Sequence, residues 1–411
     1  MAAASSIQEL ATALPPCALK CLVAGIEQSS CGMTNQTCIC TDTELNTNVE
    51  ACVLMSCTIK QSLTTKNVTK TACDAPIRDR TKIVSVAGVV GGVLSVVAFI
   101  LRIAARFRCL GGQFGWDDAT MVFTMMMVIP LSAFSVVLAD TGLGKDMWTL
   151  PFKNITHILY IYMIDEVLYL SILPMTKISI LCFYLRVFPK KEIRMATYVV
   201  MALCVGYLIS FVLISVFQCD PINGAYLRWD GEHNFKCNNI NAQGWAAAIA
   251  NMILDIIIMA LPLRELYNLN LSLRKKLGVL CMFSLGIFVT LVSILRLESL
   301  IKFATTQNVT WDYVEIGYWS TIECHVGVIC ACLPAIRSLL RRVFPAAFGD
   351  TTKGASKGTS NTYSTSRSGA GSRLEGKFSA KVKGGDEDHF VPLVDMDNSS
   401  HAHLGHAHSQ A

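Results

Sequence analysis

The chain has 411 residues, 52% of them hydrophobic and 16% charged, with a net charge of +5 and a mean hydropathy of +0.45. Soluble domains carry roughly 25% charged residues, so a wholly soluble chain is excluded. The positive charge is too small and too scattered for a nucleic-acid binder.

Eight of the 17 cysteines fall in the first 73 residues: Cys17, Cys21, Cys31, Cys38, Cys40, Cys52, Cys57 and Cys73. An even count in a short segment reads as a disulfide framework formed in an oxidising compartment. Eight cysteines allow 105 pairings, so the spacing alone assigns none. The stretch Pro16-Cys17-Ala18-Leu19-Lys20-Cys21, then Cys38-Ile39-Cys40-Thr41-Asp42, then Cys52-Val53 closely resembles the CFEM domain, a fungal extracellular module of eight cysteines. The resemblance covers about residues 10–80. It implies a small helical basket held by four disulfides, and in some members haem held by an aspartate after the Cys-x-Cys pair, the place of Asp42 here. The alternative for Asp42, and the favoured one, is an N-cap on a helix starting at Thr43. Residues 1–14 lack the basic and apolar regions of a secretory signal. A natural start further upstream is therefore expected, the alternative being export of the N-terminus by the first membrane helix.

Long apolar runs follow, predicting helices near 83–104, 119–139, 161–185, 196–217, 245–263, 277–300 and 317–339. None shows the period-2 alternation of a membrane β-barrel. The expected fold is therefore an all-α membrane protein: a disulfide-rich domain over 1–80, a seven-helix bundle over 81–345 and a disordered tail over 346–411.

Basic residues orient the bundle. With the N-terminus outside, the inner segments hold thirteen: Arg106, Arg108, Arg186, Lys190, Lys191, Arg194, Arg264, Arg274, Lys275, Lys276, Arg337, Arg341 and Arg342. The outer loops hold five, Lys145, Lys153, Arg228, Lys236 and Lys302. Arg78, Arg80 and Lys82 argue the other way, but a long disulfide-rich segment translocates largely regardless of charge. The sequons at Asn35, Asn67, Asn154 and Asn308 all fall on outer segments and are candidate glycosylation sites, whereas those at Asn270 and Asn398 fall inside. The expectation is a multi-pass plasma-membrane protein, N-terminus extracellular and C-terminus cytoplasmic.

Gly115-Trp116-Asp117-Asp118, Pro174-Met175-Thr176-Lys177-Ile178-Ser179 running to Phe183-Tyr184-Leu185-Arg186, Leu261-Pro262-Leu263, and Glu323-Cys324-His325 through Leu333-Pro334 resemble the fungal rhodopsin-domain family. The resemblance covers nearly all of residues 80–345 and implies a surface-sensing receptor acting through a heterotrimeric G protein. Retinal is excluded, since residues 317–339 contain no lysine for a Schiff base. Cys219 and Cys237 flank one outer loop, and the simplest reading pairs them, the alternative being a bond into the N-terminal domain.

Ionisable side chains inside a membrane are costly and by default mark function. Asp165, Glu166 and Lys177 lie in the third helix, Asp255 in the fifth, Arg296 and Glu298 in the sixth, Glu323 and His325 in the seventh. By depth, Lys177 meets Asp255, and Arg296 meets Asp165, Glu166 or Glu323. The favoured reading is mutual neutralisation that fixes packing, and the functional one is an outward-facing ligand pocket. Arg186 is a candidate G-protein contact or a positive-inside anchor, equally on sequence. Asp117 and Asp118 read as helix caps, and Gly88 and Gly92 as a close-packing pair within the bundle.

Arg337–Phe344 is expected as a short surface helix. In the tail, residues 351–372 read as a phosphorylation cluster, and His401, His403, His406 and His408 as a solvated end, with weak metal binding the lesser reading. No enzymatic activity is expected: the chain has no His-Glu-x-x-His and no phosphate loop, and the intramembrane carboxylates have no nucleophile beside them. The functional expectation is a fungal cell-surface receptor binding an extracellular ligand, with haem or iron acquisition as the alternative.

Overall fold

The structure, a computed structural model, describes residues 12–32, 35–107, 113–267, 273–303 and 307–343. The expected tail with its Ser/Thr and His clusters lies outside the described residues, as does Arg108, and so do the side chains of Arg264, Arg274, Lys275, Lys276 and Lys302.

The cysteine domain is four short helices, α1 (Pro16–Gln28), α2 (Gln36–Thr41), α3 (Thr43–Ser56) and α4 (Ile59–Ala72). Each begins on a local signal. Pro16 opens α1, where a missing N–H costs nothing. Asn35 caps α2, Asp42 caps α3, and Thr58 with Gln61 forms a reciprocal capping box on α4. The apolar core is small, built on Leu14, Ala18, Cys21 and Val53 beside Ile26, Cys31 and Leu45. Four disulfides make up the deficit: Cys17–Cys57, Cys21–Cys52, Cys31–Cys38 and Cys40–Cys73. Each native bridge in a domain of this size contributes about 2–5 kcal/mol.

Seven long helices follow: α5 (Thr81–Arg106), α6 (Trp116–Thr141), α7 (Phe152–Val187), α8 (Lys191–Val216), α9 (Ile240–Tyr267), α10 (Leu273–Phe303) and α11 (Val309–Val343). Even the shortest, at 26 residues, rises about 39 Å, more than the ~30 Å of a bilayer's hydrocarbon. Their outward faces are apolar, as at Val86, Val89, Val93 and Leu94 on α5 and Val199, Leu203 and Ile209 on α8. The opposite stripe of α5, at Gly88, Gly92, Ser95 and Ala98, is buried. A Cβ on Gly88 would lie 1.7 Å from Ser135 Oγ, and one on Gly92 2.8 Å from Ser132 Oγ. The two glycines therefore serve packing of α5 on α6.

Most of the helices extend beyond the expected apolar runs, α11 for instance starting at Val309 rather than 317 and α9 at Ile240 rather than 245, and two differences matter most. Helix α7 begins nine residues before position 161, because Phe152–Tyr160 is too polar to read as a membrane run yet continues the helix beyond it. Residues 337–343 are not a separate surface helix: they prolong α11 past Pro334 without a break. Between α8 and α9, β1 (Cys219–Asp220) pairs antiparallel with β2 (Lys236–Cys237), and the Cys219–Cys237 disulfide closes that pair.

Candidate functional site

The cysteine domain sits on the end of the bundle where α5 starts. Lys60 of α4 reaches Asp230 at 3.1 Å and Glu232 at 2.7 Å in the α8–α9 connection, with its ammonium 5.9 Å from the Trp229 ring centre. Lys66 bonds Glu50 and covers the Trp148 ring at 4.7 Å. In the linker before α5, Arg78 pairs with Asp146, and Arg78 and Arg80 both lie over Trp311, at 4.3 and 4.4 Å. The Glu232 hydrogen bond holds the Lys60 ammonium above its usual range. Burial alone would raise the Asp230 carboxyl, but the Glu232 N–H and Lys60 outweigh it and hold it below the usual carboxylate range.

Beneath this docked domain lies a cavity of about 770 Å³, mostly apolar, walled by Leu22, Val53 and Ile59 above and by Tyr162, Asp165, Glu166, Tyr169, Gln243, Arg296 and Tyr313 of the bundle. That size suits a small-molecule ligand. Several polar atoms at this level are buried without a partner: Asp165 Oδ1, Gln243 Oε1 and Arg296 Nη2.

Two wall residues, Tyr169 and Arg296, lead into a buried network. Tyr169 donates to Glu323 Oε2 at 2.7 Å, Ser293 to Glu323 Oε1 at 2.5 Å and Asn251 to the same oxygen at 2.9 Å. The Arg296 guanidinium lies over the Tyr169 ring at 4.8 Å, its Nε 3.5 Å from Glu323. Asn251 also accepts from Lys177 Nζ at 2.7 Å, and Lys177 pairs with Asp255 at 2.9 Å. Asn251 and Asp255, one turn apart, share a face of α9. The network thus ties α7, α9, α10 and α11 together, and each buried cation has a carboxylate of its own, without which desolvation would be prohibitive.

The structure brings together Lys177 with Asp255 and Arg296 with Glu323, as the depths suggested. Asp165 and Glu166 stay apart on the cavity wall, Glu166 accepting from Gln243 at 3.3 Å. Glu323 and His325, candidates for either an ionic pair or the pocket, do not line the cavity. His325 turns toward α5, where Nδ1 meets Ser95 Oγ at 3.0 Å and the ring packs on Gly91. Glu298 is exposed. Of the sequons, Asn35 and Asn67 are exposed on the cysteine domain, whereas Asn154 donates to Thr141 O and Asn308 to Asp146. All four lie at the cysteine-domain end.

At the far end of the bundle, Arg102 bonds Asp117 at 2.8 Å, Asp118 at 2.9 Å and the carbonyl of Ala331 at 2.5 Å. Arg106 reaches the same two carboxylates at 3.0 and 3.3 Å. The cap reading of the two aspartates is corrected in part: Asp118 does accept from Gly115 N at 3.1 Å, but both carboxylates are buried partners of arginines. Arg186 donates to Gln113 O at 3.2 Å and lies 3.7 Å from Asp117. Arg102 and Asn251 were missed from sequence. The signals were an arginine four residues before Arg106, and an asparagine four before Asp255.

Asp42 does not fit a haem ligand. Its Oδ1 accepts from Glu44 N and Leu45 N, both at 3.0 Å, so the cap fixes the carboxylate's orientation through one of its two oxygens. It does not line the apolar cavity, and Thr41, Thr43 and Glu44 around it are exposed polar residues.

These features define a multi-pass helical integral membrane protein with a disulfide-stapled N-terminal domain. The chain belongs to the fungal rhodopsin domain family, which matches residues 101–342, and a CFEM domain matches residues 10–74. It is similar to a SAT4 family membrane protein of Emericella nidulans, 29% identical over 60% of this chain and 60% of that one. It also resembles the Fugralins biosynthesis cluster protein 2 of Gibberella zeae, 26% identical over 75% and 78% of the two chains. The protein named Receptor GIN3 of Arthrobotrys oligospora is 26% identical over 67% and 68%. The chain thus spans under two thirds of the Emericella relative. No solved structure matches the chain.

Proposed function

We propose that the chain is a fungal cell-surface receptor in the plasma membrane, with the CFEM domain extracellular and the tail cytoplasmic, that couples ligand binding to a heterotrimeric G protein. The observation that carries this reading is the connection between cavity and network. Arg296 and Tyr169 face the cavity and also hold Glu323, which joins Ser293 and Asn251. A ligand that draws either one changes the partners of four helices at once. A ligand acts only through such differential contacts. The relative named a receptor supports the class, and the partly exposed Arg186 at the far end supports a G-protein face there. No catalytic role belongs to this reading.

The test is GTP exchange on each Gα subunit of a host expressing the chain at its surface, with Glu323→Gln alongside. The reading expects exchange above a vector control and a changed basal level in the variant. It fails if no Gα responds, or if Glu323→Gln matches wild type at equal surface expression. Staining of intact cells through a tag at residue 12, and only of permeabilised cells through a tag in the tail, checks the orientation.

A further inference from the structure

Charge matching in the bundle is uneven. Lys177 is taken by Asp255 and Arg296 by Glu323, and among the described residues this leaves two carboxylates of α7, Asp165 and Glu166, without a cation of their own. Both lie on the cavity wall. Their surroundings ask for donors: Asp165 Oδ1 is unpartnered, and so is Oε1 of Gln243, a residue only 8% exposed that lines the same cavity and spends its Nε2 on Glu166. The rings of Tyr162 and Tyr313, 4.5 Å apart, stand on the same wall. Partly buried carboxylates, a free carbonyl acceptor and aromatic faces together are what recognises an ammonium group.

We propose that this cavity binds an organic cation, an amine on an apolar or aromatic body, with its N–H groups on Asp165, Glu166 and Gln243. Arg296 Nη2, an unpartnered donor on the same wall, takes a hydroxyl or carbonyl oxygen of the same molecule. The other cations on the wall do not supply the missing charge: Lys66 is held by Glu50, and Lys70 and Arg228 are exposed to solvent. This assignment of ligand class rests on the receptor reading for its purpose, but not for its geometry.

The test is calorimetric titration of the full chain in nanodiscs of zwitterionic lipid, with empty nanodiscs subtracted. The probes are 4-phenylbutylamine, 4-phenylbutanol and 4-phenylbutyrate, which share a body and differ in charge. The amine is expected to bind most tightly. Asp165→Asn should weaken it about 10- to 100-fold, the range for a lost charge-assisted hydrogen bond, and Asp165→Glu should restore most of that. An unchanged melting temperature shows that each variant is folded. Equal binding of amine and alcohol overturns the proposal, as does amine binding indifferent to Asp165→Asn. Preference for the butyrate instead makes Arg296 the anchor and overturns it too, as does no amine binding at all. Amine binding without any Gα response keeps the site and removes the coupling, whereas a Gα response without amine binding does the reverse.

Discussion

Replacing Arg102 with methionine removes a guanidinium while keeping an apolar stem, and the structure sets the size of the effect. The Arg102 side chain is 2% exposed and faces Asp117, Asp118 and the carbonyl of Ala331. Once it is gone, Arg106 alone must balance two buried carboxylates, with Arg186 3.7 Å from one of them. Breaking a buried pair on one side costs about 3–5 kcal/mol. At roughly 2 °C per kcal/mol, the low end for a large chain, that is a fall of about 6–10 °C in apparent melting temperature. Adding Asp118→Asn restores charge balance and should return at least ~2 kcal/mol of the loss, since contacting residues are non-additive. The assay is size-exclusion thermostability in detergent at one scan rate, because unfolding of such a protein is a rate measurement. A fall of under ~2 °C in the single variant, or a double variant no better than the single, would refute the reasoning.

The remaining expectations concern packing, the loop disulfide and pH. Gly88→Leu should drive α5 off Ser135 and cost about 1–3 kcal/mol, seen as a loss of monodisperse protein. Gly206→Leu, with nothing within 4 Å of its Cβ, should leave the profile unchanged. Cys219→Ser with Cys237→Ser opens a short loop and should cost about 3 kcal/mol, read as lower thermal stability and surface yield. The contact of Lys60 with Asp230 should respond to pH in two directions. The lowered Asp230 value means that its contribution is present above the unfolded carboxylate value and fades as pH falls below about 4. The raised Lys60 value means that its own contribution is complete below the unfolded lysine value, about 10.4, and fades as pH rises above it. Trp229 fluorescence, with Trp229→Phe as the blank, should therefore stay flat through neutral pH and change at both extremes.

The seven helices were legible because lipid leaves only one solution for each apolar run, and the cysteine domain because its eight cysteines keep a recognisable order. Lys177 with Asp255 was legible too, since depth along a helix is a count of residues. Asn251, Ser293 and Tyr169 were not: the spacing of Asn251 from Asp255 places the two on one helix face, but an uncharged polar side chain inside an apolar run names no partner until its neighbour across the bundle is known. Arg102 hid for a different reason: it sits within the first apolar run, and its carboxylates open the next helix, where separation along the chain alone does not fix which faces meet. The docking of α4 on the 228–232 segment was out of reach altogether, since Lys60 and Asp230 lie 170 positions apart on surfaces that each look adequately solvated.

The linker between the cysteine domain and α5 carries a mechanical consequence. Arg78 and Arg80 clasp Trp311 at the start of α11, Arg78 also holds Asp146, and the Arg80 N–H bonds Gly144 O. The eight residues 73–80, which would otherwise be a slack tether, are thereby splinted to the α6–α7 connection and to the start of α11. A load applied to the CFEM domain is not lost in a hinge. It arrives as torque on α5 and α11, the two helices whose opposite ends meet at Arg102 and Ala331.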